Sequence, residues 1–144
     1  MNEVKIGNRT IPLFYSTYEM IAIQKEIGCT AFQLKDEVFG LTQEDEDDPM
    51  SVQFGCVTDP VKTAKLGTLL RILGNAGLEE NGQEGDLTDK WILRNMKPPM
   101  IIGYAAMAIM TINEGNEIEK PEDEKQGPID EGLAEENEKK PQGN

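Results

Sequence analysis

The sequence PPMIIGYAAMAIMTINEG occupies residues 98–115 and decides how the rest of this chain is interpreted. Between Met100 and Ile112 only Tyr104 and Thr111 carry a polar side-chain atom. A helix over this stretch is therefore apolar on almost every side. Such a helix is either buried on several sides or binds something outside its own fold.

Two stripes run along this predicted helix. The first has the spacing of a core face and is expected to close the protein's own core; it comprises Ile102, Ala105, Ala106, Ile109 and Ile112. The second is expected to bind a partner and comprises Met100, Tyr104, Met107 and Thr111. Trp91, on the preceding predicted helix, is a further candidate contact because aromatic residues often anchor interfaces. The alternative for these methionines and aromatic residues is an ordinary place in the core or at its rim.

The charge of the chain is unevenly distributed. The 144 residues fit a single domain and carry a formal net charge of −13. Residues 117–144 hold ten acids and four bases, a net charge of −6, and residues 44–48 are five consecutive acids. Phosphates and anionic lipids bind clustered Lys and Arg, which the chain lacks, so we expect no nucleic-acid and no membrane partner. The apolar run 100–112 is also shorter than the roughly 20 residues that cross a bilayer.

The sequence lacks the residues that common enzymes and metal sites need. It has no histidine and only two cysteines, Cys29 and Cys56, which excludes the usual zinc ligand sets and the commonest general base. The acids at 44–48 lack the glycine and the final glutamate of a calcium-binding loop. A catalytic carboxyl group is usually buried inside an apolar segment, which raises its pKa. The other acids of this chain fall outside the apolar segments. We therefore expect a protein that is not an enzyme and has no catalytic, cofactor-binding or metal-binding residues.

Local patterns predict a mainly α (α+β) fold. Residues 3–14 alternate polar and apolar around Gly7–Asn8 and predict a β-hairpin. Ser16 and Glu19 form a capping box that begins a helix ending at Gly28. Four more helices are predicted at about 31–39, 60–78, 89–96 and 99–115, the first of which carries Phe32, Leu34, Val38 and Phe39. Residues 42–58 are expected to form an acidic, irregular loop, with a short strand at 51–57 as an alternative. Residues 1–116 would then be one helical domain, followed by a disordered acidic tail at 117–144.

The long helix predicted at 60–78 is amphipathic and rich in glycine. Its inward stripe is predicted to comprise Leu66, Leu69, Leu70, Leu73 and Ala76. Gly67 and Gly74 lie inside it, and a glycine there costs about 1 kcal/mol relative to alanine. We expect the glycines to allow close approach of the last helix, which offers the small residues Gly103, Ala105 and Ala106.

Three segments together resemble one protein family. They are IPLFYSTYEMIAIQKEIGCTAFQLKDEVFG at 11–40, LLRILGNAGLEENG at 69–82 and DLTDKWILRNMKPPMI at 86–101. A hairpin leads into a helix that stops at residues 26–28, a later helix ends near residues 76–78, and Leu87 and Thr88 begin the next one. In this order of elements, over about residues 3–116, the chain resembles the tail assembly chaperones of long-tailed bacteriophages and prophages of Gram-positive hosts.

The resemblance implies a helical protein without catalytic residues that acts in the host cell cytoplasm and is absent from the mature virion. Members of the family bind the long, aggregation-prone tape measure protein, keep it soluble and help recruit tail tube subunits. A longer, frameshifted form commonly contacts the tube protein. The partners implied for this chain are therefore the tape measure protein and, through such a form, the tail tube protein.

An alternative use of the same apolar helix is an oligomer interface. The chain would then be a minor structural or self-assembling phage tail protein and would form a homo-oligomer. An exposed apolar face can bind either a client or a second copy, so the sequence leaves both open.

Overall fold

The structure is a computed structural model that describes residues 1–118. It confirms the predicted fold class, a small N-terminal hairpin followed by helices. Its elements are β1 (Asn2–Ile6), β2 (Arg9–Leu13), α1 (Thr17–Glu26), β3 (Leu41–Gln43), β4 (Val52–Phe54), α2 (Pro60–Glu80), α3 (Asp89–Asn95) and α4 (Ile101–Gly115). The helix predicted at 31–39 is present as a 3₁₀ turn followed by a π-helical turn. The predicted disordered tail, 117–144, lies outside the described residues except for its first two.

The N-terminal hairpin is antiparallel and packs one face on the core. Gly7 takes a positive φ of 63° in the turn, a conformation that favours glycine. Val4, Ile6, Ile11 and Leu13 are buried on the inner face. Pro12 pairs opposite Glu3 in a sheet of two strands, so it lies on an edge, where a missing N–H is tolerated.

Helix α1 begins at the predicted capping box. The Glu19 carboxylate accepts hydrogen bonds from the Ser16 backbone N–H (2.9 Å) and hydroxyl (2.6 Å), and the Ser16 hydroxyl accepts from the backbone N–H of Tyr18. The helix stops where Gly28 adopts a φ of 86°. The helix that begins at this capping box packs against α2.

The acidic region after residue 40 is more regular than predicted. Strands β3 and β4 pair as a second antiparallel hairpin, with β4 inside the predicted alternative strand. The acids 44–48 occupy the connection, where the Ser51 hydroxyl donates to the carbonyls of Asp45 and Asp48 (3.0 and 2.7 Å). The prediction of an irregular loop was therefore wrong for its two flanks, because side-chain hydrogen bonds to the backbone close the turn between them.

Helix α2 is the centre of the core. It begins at Asp59, whose carboxylate accepts from the backbone N–H of Val61, and at Pro60. The predicted stripe is confirmed, since Leu66, Leu69, Leu70, Leu73 and Ala76 are all buried. The four leucines belong to one hydrophobic cluster with residues from β1 to α4.

The neighbours of the α2 glycines are not the ones predicted. A Cβ at Gly77 would overlap the backbone carbonyl of Pro12, and a Cβ at Gly67 would overlap the side chain of Leu93. The backbone N–H of Phe14 also donates to the carbonyl of Leu73 on α2, at 3.0 Å. The close approach is therefore made by β2 and α3 and not by α4.

Two further features connect the elements. Arg71 on α2 donates hydrogen bonds to Glu26 on α1 and to Asp89 on α3, so one guanidinium joins three helices. Cys29 and Cys56 are both buried and unbonded to one another, and burial raises the pKa of each thiol.

Candidate partner-binding face of helix α4

Helix α4 carries no charge on any side for most of its length. A 3₁₀ turn over Pro98–Met100 leads into it, and residues 98–113 include no Asp, Glu, Lys or Arg. Its inner side packs on β1 and α2 and comprises Ile101, Tyr104, Ala105, Ala108, Thr111 and Ile112. The opposite side therefore brings an uncharged surface to solvent.

The predicted outward position of Tyr104 and Thr111 is wrong. Both are buried, and the Tyr104 hydroxyl donates to the carbonyl of Lys5 on β1 at 3.1 Å. The Thr111 hydroxyl donates to the Met107 carbonyl (2.8 Å) and accepts from the Asn2 amide (3.1 Å). The Tyr104 hydroxyl is thus satisfied by the backbone of β1, and the Thr111 hydroxyl by the backbone of α4 and the side chain of Asn2. Burial raises the pKa of Tyr104 above its ordinary value of 10.0.

The predicted inward stripe is also partly wrong. Ala105 and Ile112 are buried as expected, but Ile102 is 51% exposed, and Ala106 and Ile109 are only half-buried. The helix is rotated from the predicted phase because its two hydroxyl-bearing side chains take places against β1. The remaining apolar side chains are turned outward.

We define the outer face of α4 by the residues outside that buried side. They are Met100, Ile102, Gly103, Ala106, Met107, Ile109 and Met110. Met100 and Met110 are 51% and 48% exposed, and Met107 is half-buried. A Cβ at Gly103 would have no atom of the described residues within 4 Å. Of the predicted partner contacts, Met100 and Met107 lie on this face.

Trp91 lies elsewhere, on α3, and is half-buried. The guanidinium of Arg9 sits over its ring, 5.5 Å from the centroid, and also pairs with Asp86 at 3.3 Å. This cation–π contact is one of the places where the N-terminal hairpin meets α3. The structure does not bring Trp91 together with Met100 and Met107.

A groove of about 220 Å³ runs along one side of the outer face, between α4 and the helical turns at 31–39. Its lining includes buried Leu34, Phe39 and Ile112, half-buried Ala31 and Ile109, and exposed Lys35. Ile109 belongs to both the groove and the outer face, so the two form one continuous apolar surface.

Phe32 is an exposed residue that the sequence pattern did not single out as a contact. It was expected on the predicted helix at 31–39, yet it is 97% exposed, while Leu34, Val38 and Phe39 are buried. It directly follows Ala31 of the groove. The chain passes there from a 3₁₀ turn to a π-helical turn, so a 3.6-residue period does not describe which side chains face inward.

An open recess of about 450 Å³ lies beside the N-terminal end of α4. Val57, Leu93, Pro98 and Ile101 are among its lining residues, so this recess is also mostly apolar. Apolar residues thus line surface depressions near both the first and the last turn of α4. Exposed apolar surface of this kind marks sites of interaction with other molecules.

The described residues contain no candidate metal site and no membrane-spanning helix. Residues 1–118 contain no group of three or more His, Cys, Asp or Glu side chains placed to hold a metal ion. Within the same residues, no helix combines the length and the apolar character needed to span a membrane. Comparison of the chain with known protein families, with curated proteins and with solved structures gives no match.

Proposed function

We propose that this protein is a phage tail assembly chaperone that uses the outer face of α4 to hold an apolar, helical client. The client is the tape measure protein, which the chaperone keeps soluble in the host cytoplasm while tail tube subunits assemble around it. A frameshifted longer form is the proposed link to the tube protein. The finished virion would then contain neither form.

The carrying observation is the uncharged outer face itself. A 118-residue body has enough core to bury one side of α4, yet Met100, Ile102 and Met110 stay about half exposed. Methionine's flexible thioether adapts to varied apolar partners, which suits a client with many different helical segments. The negative charge of the rest of the chain supports solubility of the resulting complex.

Co-expression with the tape measure protein tests this proposal. Wild-type chaperone should keep that client in the soluble fraction, and the Ile102→Glu and Met110→Glu variants should lose about tenfold in affinity, since each places a charge in a desolvated contact. Both side chains are half exposed, so the free energy of unfolding should change by less than about 0.5 kcal/mol.

The matched control is Val61→Glu, which adds the same charge at an exposed apolar residue on α2 that is not part of the outer face. It should hold the client as well as wild type does. Equal client binding by all four proteins would contradict the assignment of the site. Precipitation of the client with wild-type protein would contradict the function.

A second candidate function is self-assembly, and Gly103 favours it. Small residues let two helices approach closely, and Gly103 and Ala106 lie one turn apart on the outer face. The chain would then be a minor structural protein whose α4 helices pack against one another. Mass spectrometry of purified virions separates the two proposals, because a chaperone should be missing from them.

A further inference from the structure

We propose that the acidic C-terminal segment of this chain, residues 126–138, docks in the groove between α4 and the helical turns at 31–39. In this position it would compete with the client for the adjoining outer face. The competition rests on the proposed function, whereas the docking can be tested without any client.

The composition of the segment fits the groove. Residues 126–138, QGPIDEGLAEENE, hold five acids and no base, and their large apolar side chains are Ile129 and Leu133. The two are spaced i, i+4, which is the spacing of two anchors when an amphipathic segment binds as a helix in an apolar groove. Leu34, Ile109 and Ile112 line the groove, and half-buried Ile109 leaves apolar surface open to such anchors.

The charge at the groove is complementary to the segment. Lys35 lines it and is exposed, and it forms no ion pair with any residue between 1 and 118. Lys62, Lys65 and Arg71, by contrast, each pair with a carboxylate. A lysine that has no carboxylate partner among residues 1–118 and lies beside an apolar surface is suited to Asp130 or Glu131 next to the first anchor.

The chain between the end of α4 and Ile129 is long enough to reach the groove and short enough to keep the segment near it. Helix α4 contributes Ile109 and Ile112 to the groove and ends at Gly115. From Ile118 to Ile129 the chain spans eleven residues, which reach at most about 40 Å when extended. A tether of this length gives an effective concentration of about a millimolar, so even a weak contact would be occupied.

Methyl NMR of the full chain tests the docking directly. The double substitution Ile129→Ser and Leu133→Ser should shift the methyl resonances of Ile109, Ile112 and Leu34. Adding a synthetic peptide of residues 126–138 should return them to their wild-type positions, and a peptide with both anchors replaced by Ser should bind roughly tenfold more weakly or worse. Unchanged groove methyls in the double variant would overturn the inference.

Two charge variants separate docking from a general effect of the substitutions. Lys35→Glu should shift the same methyls in the same direction, and high salt should do so in wild type, because both remove the attraction to the acids. Lys90→Glu is the matched control, since Lys90 is exposed on α3 and is not in the groove. If Lys90→Glu acted as strongly as Lys35→Glu, specific docking would be contradicted.

The client assay distinguishes failure of this inference from failure of the proposed function. If docking competes with the client, the double variant should keep the tape measure protein soluble at a roughly tenfold lower concentration than wild type. Equal potency with unchanged methyls would overturn the docking and leave the chaperone function in place. Methyl shifts with no client held by either protein would support the docking and contradict the function.

Discussion

Helices α2 and α4 both contain glycine where alanine would make a better helix, and the two helices use it differently. On α2, Gly77 lies against the backbone of Pro12, and no side chain would fit between them. On α4, Gly103 faces open space within the described part of the chain. The glycine of α2 is explained by the protein's own packing, and the glycine of α4 is not.

The two glycines differ in whether a contact among the described residues accounts for them. An interior glycine costs about 1 kcal/mol relative to alanine. For Gly77 the cost is offset by close packing of β2 on the core. No contact among residues 1–118 offsets it at Gly103, as expected if the proposed partner contact on the outer face does. Four predictions sharpen this comparison.

Gly77→Ala should have the largest effect. The added methyl would overlap the Pro12 carbonyl, and neither backbone can move without disturbing β2 or α2. We expect the free energy of unfolding to fall by about 3 kcal/mol, at the upper end of overpacking costs. Urea unfolding followed by circular dichroism measures it. A variant as stable as wild type would mean that β2 does not approach α2 so closely.

Tyr104→Phe should have an intermediate effect. It removes the part-buried hydrogen bond to the Lys5 carbonyl, which costs about 1 kcal/mol. Tyr15→Phe is the matched control, since the Tyr15 hydroxyl is buried and has no hydrogen-bond partner within residues 1–118. Tyr15→Phe should be neutral or stabilising in the same urea titration. Equal losses from both substitutions would contradict the role of the hydrogen bond.

Gly103→Ala should have a smaller effect of opposite sign to Gly77→Ala. The methyl meets no atom of the described residues, so only helix propensity changes, and stability should rise by about 0.5–1 kcal/mol. The same methyl would stand on the outer face. If binding of the client or of a second copy weakens while stability rises, Gly103 serves that contact. A loss of stability would place Gly103 against a neighbour within the chain.

A pH-dependent effect should be the smallest, because it is absent at neutral pH. Burial raises the pKa of Tyr104, and burial together with the charge of Glu19 raises the pKa of Tyr15, each from 10.0. The stability associated with the neutral phenols is complete below pH 10 and is lost as the pH rises through the folded-state values. Replacing both by Phe should make the decline above pH 10 less steep, whereas replacing exposed Tyr18 should not. Parallel curves for all three proteins would contradict this.

The sequence predicted well those helices that carry apolar residues on one face and polar residues on the other. On α2, leucines alternate with Lys, Thr and Arg, so the inward stripe at Leu66, Leu69 and Leu73 could be assigned from spacing alone. Capping at Ser16 and the turn at Gly7 depend on local backbone chemistry, which the sequence also reveals.

Helix α4 lacks that contrast, and this is why its orientation was mispredicted. When every side is apolar, spacing alone does not determine which stripe faces inward. The Tyr104 hydroxyl donates to the carbonyl of Lys5, and the side-chain amide of Asn2 donates to the Thr111 hydroxyl. Each pair is more than 95 residues apart in sequence. Such long-range polar contacts fix the rotation and cannot be inferred from local periodicity. The prediction of an outward apolar face stays a proposal about function, with Ile102 and Met110 now among its residues.

The two buried cysteines have a practical consequence. Cys29 and Cys56 have thiols that are shielded from solvent and whose pKa is raised, so the reactive thiolate is scarce and inaccessible in the native protein. Alkylation of either sulfur therefore reports the moment at which the surrounding region opens. Mass-resolved labelling of the two sites would follow, without any introduced probe, whether the part after α1 and the start of α2 come apart together or one after the other.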